Sequence, residues 1–464
     1  MKLPEKSPNR LFIDISSNDI GKLNEKVKQE AKIFPFFISP VGQALAKKAN
    51  KEYHYWDKVK YYDLPDGITQ EIAWFAVKLS RSLSRTIPLK DKNGNQFRFW
   101  FPDVVLKELS FIDKHNGDKM FSDKIDLPGK QKEKYLINSL MEEAIASSQL
   151  EGAATTREKA KEMLRRGEEP KNIDEKMILN NYKTIMSLKT SAKGPLTAEI
   201  IKQIQSMLTE DTLRNKDDVG RFRSPGDDIQ VLDRLDGELL FVPPKAEEVE
   251  SRIKELCDYV NSAQEDEFTH PVIKAILIHF WLAYIHPFCD GNGRTARALF
   301  YWFLLKSGYW KFEFISISRT IKESPGQYSK AYLYTEMDDC DLTYFLVFNL
   351  NRIHRAIDEF EDYVENKQKE LTRTVGSLKN FTDLNHRQYD LLRHAVLHPE
   401  AMYTVRAHQK IHNIVYQTAR TDLLYLVKKG FIVKRRIGKE FNFFPSDDIA
   451  SKVKLDKPPV GELE

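Results

Sequence analysis

From about residue 130 to 364 apolar residues recur at three- and four-residue spacing, which predicts helices over 132–151, 171–190, 196–209, 246–262, 271–285, 294–306 and 341–364. A mainly α domain follows from that series. One stretch breaks it: Ile229–Leu232, a turn at Asp236-Gly237 and Leu239–Val242 alternate as a β-hairpin does. Residues 1–130 read as an N-terminal extension of mixed structure. Helical periodicity covers Ile20–Ile33 and Thr69–Leu83, and Thr86–Leu89 and Gln96–Phe101 flank a hairpin turn at Asn93-Gly94. The polar, Gly-bearing Asp113–Gln131 reads as a loop or boundary. Past a second polar stretch, Glu365–Asp383, the rhythm changes. Three short helices precede Phe431–Arg436, a turn at Ile437-Gly438-Lys439 and Glu440–Phe444, the layout of a winged helix-turn-helix domain. The expected domains are therefore 1–130, 131–370 and 380–464.

Composition narrows the class without deciding it. Of 464 residues 41% are hydrophobic and 30% charged, and 72 Lys+Arg against 68 Asp+Glu leave a net charge of only +4. No global field commits the chain to nucleic acid or an anionic surface, so any basic patch is local. Three cysteines, Cys257, Cys289 and Cys340, suit neither a disulfide framework nor a structural zinc site. A reducing, cytoplasmic setting is expected. The longest apolar stretch, Ala275–Ile285, contains His279 and falls well short of the ~20 residues a span needs, and the first residues show no apolar leader, so neither export nor a membrane partner is expected.

Chemistry concentrates in His286-Pro287-Phe288-Cys289-Asp290-Gly291-Asn292-Gly293-Arg294-Thr295-Ala296-Arg297, between two strongly apolar helices. Pro271 suits the first turn of the leading helix, and Pro287 interrupts its far end. Gly291 and Gly293 let the main chain turn tightly beside a ligand, and the N–H groups of the helix starting near Asn292 carry the positive end of its dipole. Arg294 and Arg297, three apart, share a face and add two cationic forks that match phosphate oxygens. Asp290 can hold a hard divalent cation, and His286 can act as general base toward a hydroxyl. Together these describe phosphoryl or nucleotidyl transfer. Taken singly, each has a plainer reading: a structural histidine, a turn, a solvated helix face. Neither a Walker loop nor a dinucleotide fingerprint is present. His279, two helical turns or about 10 Å from His286, is too far to share a metal with it and reads as a core residue. Cys289 reads as a small packed residue.

At every specified position His286–Arg297 resembles the Fic-family motif HxFx(D/E)GNGRxxR. The resemblance extends over about residues 130–370. It implies an all-helical Fic domain with a small β-hairpin flap, and transfer of AMP from ATP to a Tyr, Ser or Thr hydroxyl of a target protein with release of pyrophosphate. By that resemblance His286 is the base, Phe288 anchors the loop in the core and Asp290 holds Mg²⁺. Gly291, Asn292 and Gly293 cradle the α- and β-phosphates, while Arg294 and Arg297 hold the β/γ end. Upstream, Ser147 to Gly152 resembles the family's inhibitory motif [S/T]xxxE[G/N]. It implies a self-inhibited, class II protein in which Glu151 pairs with Arg297 in the γ-phosphate site, Ser147 steadies the helix and Gly152 closes it. From local sequence alone Glu151 is equally a surface residue beside a glycine stop. The hairpin residues Ile229, Gln230, Val231, Leu240, Phe241 and Val242 correspond to the family's target-docking flap, or else to a purely structural one. The target can be another protein or a second copy of this one; similar proteins are commonly dimers, and some also remove AMP at the same site.

Residues 403–439 hold nine Lys/Arg against one acid, Asp422. As a helix-turn-helix, Ile414–Lys428 is the recognition helix, with Gln417 and Arg420 toward a DNA groove and Arg435 and Arg436 of the Lys434–Lys439 wing on phosphates. A protein-contact module whose charges are simply solvated is the equal alternative. The rival reading of the whole chain is thus a DNA-binding regulator whose Fic domain senses nucleotide.

Overall fold

The computed structural model describes residues 3–8, 31–117, 129–191, 194–232, 237–262, 268–378, 381–399, 401–437 and 440–454. Most of the expected helix Ile20–Ile33, Asp236 of the flap turn, and Gly438 and Lys439 of the wing turn lie outside the described residues. The described chain is mainly helical, and its strands form three separate two-stranded antiparallel pairs. No described helix is long and apolar enough to cross a membrane. Two units emerge: Met1–Gly117 with Asn138–Ile357, and Asp118–Ile137 with Asp358–Glu464.

In the first unit α1 (Pro40–Lys51) and α2 (Gln70–Ser80) each begin at a hydroxyl cap, Ser39 accepting from the Gly42 N–H and Thr69 from that of Ile72. β1 (Arg85–Lys90) and β2 (Gln96–Phe99) pair about the turn that Asn93-Gly94 predicts, where the Asp91 carboxylate accepts the N–H groups of Asn93 and Asn95, both at 2.8 Å. α3 (Asp103–Gly117) follows. This N-terminal part is fastened to residues 338–344. Lys78 pairs with Asp338 at 2.8 Å, Tyr53 donates to Asp341 at 2.7 Å, and buried Arg81 donates to the Tyr344 hydroxyl at 2.8 Å.

The remaining helices of the first unit are α4 (Gly129–Leu150), α5 (Arg157–Arg166), α6 (Ile173–Ser191) and α7 (Ala198–Thr209), then α8 (Val249–Asn261), α9 (Pro271–Ile285) and α10 (Asn292–Lys306). Between α7 and α8 lie β3 (Val231–Leu232) and β4 (Leu239–Phe241). Next come α11 (Ile317–Lys322), α12 (Pro325–Met337) and α13 (Thr343–Ser377); the division into units falls inside α4 and α13. α9 and α10 pack along each other at the centre. All of α9 except Pro271 and Ala283 is buried, which suits a helix that is apolar all round. Each fully buried side chain of the size of Phe280 or Phe345 contributes roughly 1.5–3 kcal/mol.

In this unit α1, α3, α5, α11 and α12 go beyond the sequence expectation. In α5 only Ala160 and Met163 are buried, too few to produce an apolar stripe, although its Thr156 cap and left-handed Gly167 stop are both ordinary boundary signals. The polar run from Glu365, expected to interrupt the chain, continues α13 instead. Glu, Lys and Gln are strong helix formers, and Lys369 pairs with Glu365 one turn away at 2.6 Å.

The second unit contains α14 (His386–Leu397), α15 (Val405–His412), α16 (Tyr416–Lys428), the hairpin β5 (Ile432–Ile437) and β6 (Glu440–Pro445), and α17 (Ile449–Lys454). The order of three helices then a hairpin is the one its rhythm predicts. Asn385 and Gln388 form a reciprocal capping box at the start of α14. Leu392, Leu423, Leu426 and Phe443 meet in a core of its own.

Candidate active site

α9 stops because Pro287 cannot extend it, and His286 closes it in the left-handed conformation, φ 51°, its N–H bonded to the Leu282 carbonyl at 3.0 Å. The His286 ring turns its Nδ1 to the Ala283 carbonyl at 3.2 Å. A carbonyl only accepts, so this bond places the proton on Nδ1 and leaves Nε2 as the basic nitrogen. Burial lowers the imidazole pKa, against the Ala283 bond, and keeps the ring neutral at pH 7.

Phe288 is wholly buried, its ring centre 5.3 Å from that of Phe222. Asn292 folds back on the loop: Oδ1 accepts the Phe288 N–H at 2.9 Å, and Nδ2 donates to the Phe288 carbonyl at 2.8 Å. Its side chain is therefore a staple of the loop, and what it offers a ligand is its main chain. Gly291 caps α10 with φ 81°, and a Cβ there would lie 2.8 Å from Thr209 Cγ2. Glycine is required on both counts. Gln205 of α7 bridges this loop, donating to the Asp290 carbonyl at 3.1 Å and accepting the Gly220 N–H at 2.6 Å.

The two arginines expected on one face have different neighbours. Arg294 is fully buried and donates to the Leu208 carbonyl at 2.9 Å, with Nη2 3.7 Å from Asp290 Oδ1. Arg297 reaches α4: Nε donates to Ser147 Oγ, and Nη2 to the Ser147 carbonyl and to Glu151 Oε1, all at 2.9 Å. A Cβ on Gly293 would lie 2.0 Å from Glu151 Oε1. The Glu151 carboxylate thus rests on the first turn of α10, where a helix attracts an anion. Gly152, at φ 99°, turns the chain away beyond it. Burial opposes the charge on Arg297, yet Glu151 raises its pKa overall. Farther up the same face of α4, buried Glu143 accepts from Tyr301 Oη at 2.7 Å, Ser316 Oγ at 2.9 Å and the Ser318 N–H at 2.9 Å. Spacing of four residues stacks Glu143, Ser147 and Glu151 in one line.

Asp290 is exposed, and its Oδ1 accepts the Gly291 N–H. A single exposed carboxylate beside a helix start suits Mg²⁺, which takes one or two protein carboxylates and completes its shell from phosphates and water. His279 is buried, bonded to Tyr328 Oη at 2.8 Å, and its pKa is pushed down to about 3 by burial and then by Arg297; it is a core residue. Cys289 has its thiol pushed up to about 11 by burial, then by Asp218 and Asp227, and is no nucleophile. Asp218 and Asp227 beside it are both bonded to Arg221, whose Nη2 lies 3.7 Å from Cys289 Sγ, so a guanidinium already occupies that cluster.

In the hairpin Val231 pairs with Phe241 and Leu232 with Leu239. Gln230, Leu232, Leu239 and Val242 are exposed, Ile229, Val231, Leu240 and Phe241 half-buried, and the Phe241 ring centre stands 5.0 Å from that of Tyr284. In the second unit Gln417, Arg420, Arg435 and Arg436 are exposed. Asp422 is buried and accepts from Arg387 Nε at 2.7 Å and Asn385 Nδ2 at 2.9 Å, with His408 Nε2 at 3.3 Å.

Sequence reasoning singled out neither Glu143 nor Gln205. Their partners lie 85–175 residues away for the most part, so no local pattern marks them.

Residues 195–304 match the model of the Fic/DOC family. The chain is 39% identical over 92 residues to a protein adenylyltransferase Fic of Nematostella vectensis, covering 20% of this chain and 19% of that protein. It is 39% identical over 72 residues to a protein adenylyltransferase of Caenorhabditis elegans, covering 15% and 13%. The matched stretch thus spans about a fifth or less of each relative's length. A Fic family protein from Desulfovibrio desulfuricans shares the fold, with a TM-score of 0.50 and 16% identity over 75% of this chain and 97% of that one. Residues 195–304 thus form a region of the Fic/DOC type within the chain.

Proposed function

We propose that the protein is a self-restrained adenylyltransferase, moving AMP from ATP to a hydroxyl of a target protein. The observation that carries this reading is the neutral imidazole of His286 beside a helix start where a carboxylate of the same chain, Glu151, lies against Gly293 and holds Arg297. His286 Nε2 accepts the proton of a target Ser, Thr or Tyr hydroxyl. The oxygen then attacks the α-phosphorus of ATP, the bond to the bridging oxygen breaks, and pyrophosphate leaves. The first turn of α10, from Gly291 to Gly293, orients the phosphates, and Arg297 meets the charge at their far end once Glu151 withdraws. Asp290 would hold Mg²⁺, which when bound neutralises phosphate charge. The exposed edge of the β3–β4 hairpin suits strand addition by an extended target segment.

For the second unit, burial and pairing of Asp422 leave the surface of 403–437 basic, which favours contact with the DNA backbone over a neutral protein surface.

The test is incubation of the protein with α-labelled ATP, Mg²⁺ and cell lysate. Glu151→Gly raises label on protein about tenfold or more, equivalent to relieving ~1.4 kcal/mol of restraint, and His286→Ala abolishes it. Equal labelling by wild type and Glu151→Gly at saturating ATP rejects the restraint; label surviving His286→Ala rejects the base.

A further inference from the structure

We infer that Arg223 is a positioning residue that ties the flap to the general base; the inference rests on the reading of His286 just given. Arg223 is 7% exposed. Its own N–H donates to the Pro287 carbonyl at 2.8 Å, its Nε to the His286 carbonyl at 2.8 Å, and its Nη2 to the carbonyls of Ile285, at 3.3 Å, and Pro244. Three consecutive carbonyls at the end of α9 are therefore gripped by one residue. The last carbonyls of a helix have no partner within it and carry the negative end of its dipole, so a buried guanidinium suits them as acceptors do not often find elsewhere. Among the described residues no carboxylate lies within ion-pair distance of Arg223; its fork is committed to main chain.

Position explains what the grip couples. Arg223 stands where the chain enters the segment bearing β3 and β4, and Pro244 where it leaves. One side chain thus fastens both ends of the flap to the carbonyl of His286, a residue held in a left-handed conformation that L-residues disfavour. A target strand added to the flap and the imidazole that must receive its proton are set in one frame. Displacement of reacting groups by about 1 Å can cost on the order of 100-fold in rate. Lysine, a point charge on a flexible stem, cannot reproduce the planar fork.

Arg223→Lys and Arg223→Gln in the full-length Glu151→Gly protein test this. Three quantities are measured: the ATP dependence of label incorporation into lysate protein, ATP–Mg²⁺ affinity by calorimetry, and the His286 ring resonance in ¹³C-histidine protein, identified by its loss in His286→Ala. Arg223→Lys is expected to keep ATP affinity within about twofold, lower the maximal labelling rate about 10- to 100-fold and shift the His286 resonance. An unchanged maximal rate with an unshifted resonance overturns the inference, as does a loss of ATP affinity equal to the loss of rate. Should Arg223→Gln fail to fold, Arg223→Lys decides alone. If the Glu151→Gly parent labels nothing, the proposed activity fails, while the His286 resonance still reports whether Arg223 sets the ring.

Discussion

Arg223, Arg294 and Arg297 of the first unit are each at most 7% exposed and hold carbonyls or a carboxylate, whereas Arg420, Arg435 and Arg436 of the second face solvent. The buried set is desolvated, fixed in direction and insensitive to salt, which suits it to placing a reacting phosphate. The exposed set is screened within about 8 Å at physiological ionic strength, so each member contributes little and the group acts as a field. The same residue type is fixed in direction in one unit and left to solvent in the other.

That contrast can be broken at its strongest point first. Glu143→Ala removes an acceptor from the buried hydroxyls of Tyr301, Ser316 and Ser318, and is expected to cost the first unit about 2–4 kcal/mol in chemical denaturation. A loss below about 0.5 kcal/mol would show that fixed polar contacts do not organise this unit. Arg387→Ala leaves Asp422 buried with Asn385 and His408 alone, and should destabilise the second unit by about 1–3 kcal/mol, read as an earlier transition of the tyrosines of that unit. Arg435→Gln and Arg436→Gln should leave the melting transition unmoved. Each should instead flatten the salt dependence of duplex binding by about one unit of slope, measured by gel shift of the full chain at several salt concentrations. No change in slope would assign the basic face to a protein partner.

The twelve residues from His286 to Arg297 were legible because their chemistry is contiguous: the turn, the glycines, the carboxylate and the cations follow one another on a single helix junction. The flap was legible through its turn and alternation, and the second unit through a change of period. What stayed hidden depends on distance along the chain. Nothing local distinguishes Arg223 from the neighbouring Arg221, yet one grips the end of α9 and the other is absorbed by Asp218 and Asp227. The staple role of Asn292 and the turning of Arg294 into α7 likewise follow from neighbours that only tertiary packing supplies. A polar run is compatible with a break or with solvated helix, and α13 takes the second outcome, with Lys369 paired to Glu365.

Eight residues separate Glu143 from Glu151 along α4, a rise of about 12 Å. Under the proposed function this spacing gives the restraint a remote handle: substitutions around Ser316 and Ser318 should loosen or tighten the hold on α4, and with it basal labelling, without touching His286 or the first turn of α10.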